Sequence, residues 1–165
     1  MTSYRDADFR VRWNGQWAAE AQAAYALDRN MRRVPFVPHG LDRAPFSVEA
    51  LMAAPDTVRY APDYKEEVEK RLRFVEVKGC GRDETIKLKF EQIAALWAHD
   101  NELPVWFCFW NNQNRMLIEV KIDDVFSATE GAETGVFDAD TAPKQYWRLE
   151  WDALGELGRE HPLGR

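Results

Sequence analysis

Cysteine is scarce in this chain: Cys80 and Cys108 are the only two. That is too few for a disulfide scaffold or a cysteine-based structural zinc site. The three histidines, His39, His99 and His161, show no metal-ligand spacing. No apolar run approaches the roughly 18 residues of a membrane span, and the mean hydropathy is -0.54. The first residues, MTSYRDADFRVRW, lack the apolar stretch that a signal peptide needs. Internal repeats, low-complexity tracts and Gly/Ser linkers are missing too. These absences predict a soluble, cytoplasmic protein in which residues 1–165 form one domain. An excess of positive charge is also lacking. With 22 Lys/Arg against 28 Asp/Glu the net charge is -6, which argues against a protein that coats nucleic acid.

What is present changes the weight of that last exclusion. Residues 1–90 carry 16 Lys/Arg against 14 Asp/Glu, whereas residues 91–165 carry 6 against 14. The half with the balanced charge can face a polyanion, and the acidic half is expected to face away from it. Apolar residues make up 45% of the chain, enough for a proper core. The residues 14–29 read as a helix with Trp17, Ala21, Ala24 and Leu27 as its inward stripe. Ser47 is placed to cap a short helix closed by Pro55. A strand over 57–64, a charged bend over 65–70 and a strand over 72–78 form an expected hairpin. A helix is expected from Asp83 to His99, with Ile86, Phe90, Ile93 and Trp97 on one face. Strands are expected at 104–110, 116–122 and 145–151, separated by an acidic loop over 126–142, and a weak helix from Asp152. The alternation predicts an α/β fold in which a single mixed sheet is flanked by helices.

The segment with chemical content is Tyr60-Ala61-Pro62-Asp63 followed by Phe74-Val75-Glu76-Val77-Lys78-Gly79. Side chains along a strand alternate, so Glu76 and Lys78 share one face while Val75 and Val77 enter the core on the other. Asp63 precedes Glu76 by one hairpin's length. Two carboxylates so placed make a hard oxygen site suited to Mg²⁺, with Mn²⁺ as a substitute. An ammonium beside them can hold an attacking water or stabilise charge on a phosphate.

Pro62-Asp63 with Glu76-Val77-Lys78 resembles the signature of the PD-(D/E)xK nuclease superfamily. The fuller spelling is most similar to phage endonuclease I-type Holliday junction resolvases and to the endonuclease subunit of Tn7-like transposition. The resemblance covers about residues 14–99, with residues 100–165 expected to complete the sheet of a restriction-endonuclease-like core. It implies a Mg²⁺-dependent endodeoxyribonuclease, a hydrolase acting on DNA, branched or nicked, as a homodimer in a bacterial or phage-infected cell. It also implies that Asp63 and Glu76 bind the metal and that Lys78 is the catalytic lysine. Such families often add a glutamate from the first helix, and Glu20, on the stripe with Trp17 and Ala24, fits that place. Lys89 and Gln92 resemble the helix residues that touch the scissile phosphate in relatives, and Arg82, in the glycine-rich bend, joins them as a substrate contact.

Other features weigh on the reading. Glu119-Val120-Lys121 repeats the Glu-x-Lys tripeptide on an apolar strand, but no Pro-Asp precedes it and no glycine follows, so it reads as structural. Cys80 has no nearby histidine to act as its base. Arg29, Arg32, Arg33 and Arg43 mark residues 30–58 as a source of substrate contacts, a dimer interface or a plain surface loop. The competing reading is a nuclease-fold subunit that binds DNA or assembles without cutting efficiently, docking a partner through aromatics such as Trp147 and Trp151.

Overall fold

The computed structural model describes residues 16–41, 47–137 and 144–163. Helix α1 (Gln16–Arg32) leads into the short strand β1 (Phe36–Pro38). Two small helices follow, α2 (Val48–Ala53) and α3 (Asp56–Arg59). Strands β2 (Tyr64–Val68), β3 (Arg71–Gly79) and β4 (Thr85–Lys89) precede helix α4 (Phe90–Asp100). Strands β5 (Val105–Asn111) and β6 (Met116–Lys121) form a hairpin, then come α5 (Ile122–Ala128), β7 (Glu133–Phe137) and β8 (Lys144–Glu150). Helix α6 (Trp151–Leu157) and strand β9 (Arg159–Pro162) end the described chain.

Six strands make one mixed sheet in the order β1-β2-β3-β5-β6-β9. β3 and β5 are parallel, and the remaining neighbours are antiparallel. The parallel pair needs a crossover, and β4 with α4 supplies it. Alternation along β3 divides the core. Val75 and Val77 join Ala21, Ala24 and Tyr25 of α1, together with Cys108 and Trp110. Phe74 lies on the other face with Ile93 and Leu96 of α4, Phe107, Phe109, Ile118 and Val120. Each fully buried side chain of this size contributes about 1.5–3 kcal/mol, so both helices are fixed to the sheet by packing. β4, β8 and β7 form a separate three-stranded sheet in the order β4-β8-β7, whose Ile86, Leu88 and Leu149 extend the α4-side core.

The mixed sheet flanked by helices is as expected from sequence, and Ser47 caps α2 by accepting from the amide of Ala50 at 3.2 Å. Several elements differ. The segment 57–63 is not a strand: Asp56–Arg59 is a helical turn, and β2 starts only at Tyr64. The charged residues 65–68 are strand rather than bend, because Glu66 and Arg73 pair across β2 and β3 and leave only Glu69 and Lys70 to turn, both with positive φ. The expected helix from Asp83 is strand β4 as far as Lys89, where pairing with β8 overrides the helical spacing of Ile86 and Phe90. Trp97, expected inward, is 41% exposed. The expected acidic loop over 126–142 contains the end of α5 and all of β7, and β9 follows the strand expected to be last. On α1 the buried arc is Ala21, Ala24, Tyr25 and Asp28, not the stripe ending at Leu27, which is 48% exposed. Asp28 and Arg29 are buried there as an ion pair, which apolar periodicity does not register. The Trp17 side chain and Arg43 lie outside the described residues. The acidic half is not a separate side, since β5, β6 and β9 are built into the main sheet. No helix among the described residues is long and apolar enough to cross a membrane.

Candidate active site

The last pair of the β2–β3 ladder is Tyr64 with Val75. Beyond it β3 continues to Gly79 without a β2 partner, and the Asp63 side chain occupies the vacated place. Its Oδ2 accepts a hydrogen bond from the backbone N–H of Val77 at 2.7 Å. The Asp63 carbonyl in turn accepts from the amides of His39 and Gly40, at 2.8 and 3.2 Å. Gly40 lies so close that a Cβ there would stand 3.1 Å from the carbonyl oxygen of Pro62 and 3.3 Å from Cα of Asp63. The Pro-Asp segment is therefore held by the strand on one side and the 39–40 backbone on the other.

Glu76 faces α4 and is 3% exposed. A carboxylate at that depth needs partners. Its Oε1 accepts from Gln92 Nε2 at 2.7 Å and lies 2.7 Å from Nζ of Lys78. The Lys78 side chain is 26% exposed, so its ammonium spans the buried acid and the surface. Glu76, Lys78 and Gln92 thus meet on the α4 face, and the Asp63 carboxylate is held at the adjoining strand edge by the amide of Val77, the residue between Glu76 and Lys78. Oxygen donors from two carboxylates, with no soft ligand among these four, fit a hard divalent cation such as Mg²⁺.

Glu20 belongs to α1, which covers the opposite face. Arg29 and Tyr25 both contact Glu66, the partner of Arg73. Glu20 is half-buried and precedes Ala21, which packs in the core with Val75 and Val77. Lys89 ends β4 and precedes α4 rather than lying within the helix. Arg82 is exposed in the turn after Gly81, with its carbonyl accepting from Gln113 Nε2 at 2.6 Å. Cys80 is buried, and burial pushes its thiol up to about 12, which removes it as a nucleophile at neutral pH.

The second Glu-x-Lys lies on the α1 face, because Glu119 pairs with Cys108 and Cys108 with Val77. Glu119 meets Arg29 at 2.9 Å, Arg73 at 2.8 Å and Arg32 at 3.2 Å. Burial alone would raise its carboxyl, but Arg29, Arg73 and Arg32 more than offset that and hold it at about 2. Arg29, read from sequence as a possible substrate contact, is instead 1% exposed and bound to Asp28, Glu66 and Glu119. Potential ligand atoms of Asp28, Glu119 and His161 lie within 4.8 Å of one another, a grouping that sequence spacing hid because β9 brings His161 back across the fold. Three guanidinium groups, of Arg29, Arg32 and Arg73, already balance the carboxylates of Asp28, Glu66 and Glu119. A divalent ion would add surplus charge there, so the network reads as structural.

Sequence reasoning missed a contact that borders the site. Tyr60 donates to Glu91 Oε1 at 3.1 Å, and Lys144 Nζ lies 3.0 Å from both the Tyr60 hydroxyl and Glu91 Oε1. Tyr60 precedes Asp63 by three residues and Glu91 is adjacent to Gln92, so Lys144 of β8 ties together the segments supplying both. Trp147 and Trp151 are not exposed docking aromatics. Trp147 stacks on Phe90 with centroids 3.8 Å apart, and Trp151 is 5% exposed.

No protein-family model and no curated protein sequence matches the chain. Among solved structures its fold is similar to that of Hjc, a Holliday junction resolvase from the archaeal hyperthermophile Archaeoglobus fulgidus. The TM-score is 0.53 at 8% sequence identity, covering 86% of this chain and 94% of that one. At that identity the likeness establishes a shared fold.

Proposed function

We propose that this chain is a metal-dependent DNA endonuclease that hydrolyses phosphodiester bonds, with branched DNA as its preferred substrate and a homodimer as its working form. The observation that carries the reading is that Asp63 bonds the Val77 amide, between Glu76 and Lys78, while Glu76 is buried against Lys78 and Gln92. The resolvase-like fold supports the same reading. The preference for branched DNA is carried over by analogy from Hjc, a Holliday junction resolvase.

Asp63 and Glu76 would hold the ion, with Glu20 of α1 as a supporting carboxylate. When bound, a Mg²⁺ ion supplies Lewis acidity and neutralises charge on the phosphate. The Val77 amide fixes the Asp63 carboxylate, and Gln92 fixes that of Glu76, so neither has to reorganise when substrate arrives. Lys78 orients a water towards phosphorus and offsets charge developing on the phosphate oxygens. Lys89 and Arg82 contact the backbone flanking the scissile bond.

A plasmid-nicking assay with Mg²⁺ or Mn²⁺ tests the assignment. The parent should relax supercoiled DNA, chelation should stop it, and Asp63→Asn should abolish it. Cleavage by Asp63→Asn at the parent's rate would sink the proposal.

A further inference from the structure

The small sheet presents a face whose charge is sorted along its length. In β4 and β8, Lys87 is paired with Arg148 and Lys89 with Tyr146, so all four project from the same side. Lys144, two residues before Tyr146, shares that side. Ile86 and Leu88 occupy the other side, in the core. Towards α4 the face carries Lys89 and Lys144, the latter paired with Glu91 at 3.0 Å, and Lys87 stands in the middle row. At the far end the balance reverses. Asp83 and Glu150 lie there, 3.5 and 3.7 Å from Arg148, which stands level with Lys87 and is 3.6 Å from Glu133 in the same row. Between the lysines, Tyr146 lies against β7 where only glycine leaves room, since a Cβ on Gly135 would stand 2.4 Å from the Tyr146 hydroxyl. The exposed Lys87 ammonium is 5.2 Å from the centre of that ring.

We infer that the Lys87–Lys89–Tyr146 end of this sheet is a docking surface for the phosphate backbone of duplex DNA leading away from the cut. The inference rests on the endonuclease reading and names where its substrate lies. A protein of net charge -6 repels a polyanion overall, so attraction has to come from a local cationic surface. Lys87 and Lys89, two residues apart on one strand, are separated by about 7 Å, a spacing that lets both reach the backbone of one DNA strand. Asp83 and Glu150 exclude backbone from the far end and so set the direction in which the duplex leaves. Lys144 continues the surface to Tyr60 and thus to the segment that carries Asp63.

The test is fluorescence anisotropy of labelled duplex and four-way-junction DNA across a salt series, with Ca²⁺ in place of Mg²⁺. It is run beside the nicking assay. Lys87→Ala should weaken binding roughly fivefold to tenfold and lower the slope of log affinity against log salt by about 0.9, the signature of one lost phosphate contact. Lys87→Arg should restore both, and Glu133→Gln should weaken neither. A Lys87→Ala variant with the parent's affinity and salt slope, in a parent that nicks DNA, would overturn this surface and leave the endonuclease reading standing. A parent that neither binds nor cuts DNA would overturn both, and binding of duplex RNA with none of DNA would overturn this inference as well.

Discussion

The chain contains Glu-x-Lys twice on strands of one sheet, and the two copies differ in what faces the acid. Glu76 looks towards α4 and meets one lysine and one amide, with Asp63 held at the end of the same strand pair. Glu119 looks towards α1 and meets three arginines. Both acids are buried, but the first shares its strand with the Asp63 carboxylate, held at the Val77 amide one residue away, and oxygen donors so placed suit a hard cation. The second is one corner of a network whose charges already cancel. A tripeptide therefore acquires chemistry from its neighbours, and the alternation of strand faces decides which neighbours it gets.

The sharpest way to break this contrast is to treat the two copies alike. Lys78→Ala should lower nicking by on the order of 100-fold to 1000-fold, the usual loss for a group that acts on charge developing in the transition state. Glu119→Gln should act in the reverse sense. Removing one partner of a buried charge network costs about 3–5 kcal/mol, read as a lower midpoint in urea, while the Mn²⁺ requirement for nicking is unaltered.

Acid titration sharpens the same comparison with a smaller effect. Glu119 is held at about 2 against an ordinary 4.5, so its contribution is present above the ordinary value and disappears as pH falls towards 2. The integrated loss is about 3 kcal/mol, seen as a falling midpoint in urea series by circular dichroism, and a Glu119→Gln variant should lack that component. Asp28 falls in the same direction: burial raises its carboxyl, but His161 and Arg29 lower it further and leave it below its ordinary value. The smallest effect is the most pointed. Lys121 is exposed above the Trp106 ring at 5.6 Å, so Lys121→Ala should change both nicking and stability by little, within about 0.5 kcal/mol for stability. A large loss of nicking would mean that the second copy is not merely structural.

The strands with strong apolar content were legible in the sequence, as were the Ser47 cap and the relation of Glu76 to Lys78, because each depends on local periodicity or turn chemistry. The proximity of Asp63 to the Glu76 strand was legible from hairpin length, although the hairpin itself was misdrawn: residues 65–68 pair as strand because Glu66 finds Arg29 and Arg73. β4 was read as helix because Ile86, Phe90 and Ile93 also fit a 3.6-residue period, and pairing with β8 was invisible from a window of that length. Buried Asp28 and Arg29 defeated the apolar stripe, since a balanced ion pair packs inward without looking hydrophobic. The contribution of Lys144 to the site's border depends on residues 84 and 53 positions away, Tyr60 and Glu91, and no local pattern announces it.

Calorimetric titration with Mn²⁺ of the parent, Glu76→Gln and His161→Gln tests most directly which copy belongs to the metal centre. The Asp63–Glu76 assignment predicts binding in the parent and in His161→Gln, with binding lost or greatly weakened in Glu76→Gln. Binding that survives in Glu76→Gln and vanishes in His161→Gln would contradict it and move the metal to the Asp28, Glu119 and His161 cluster.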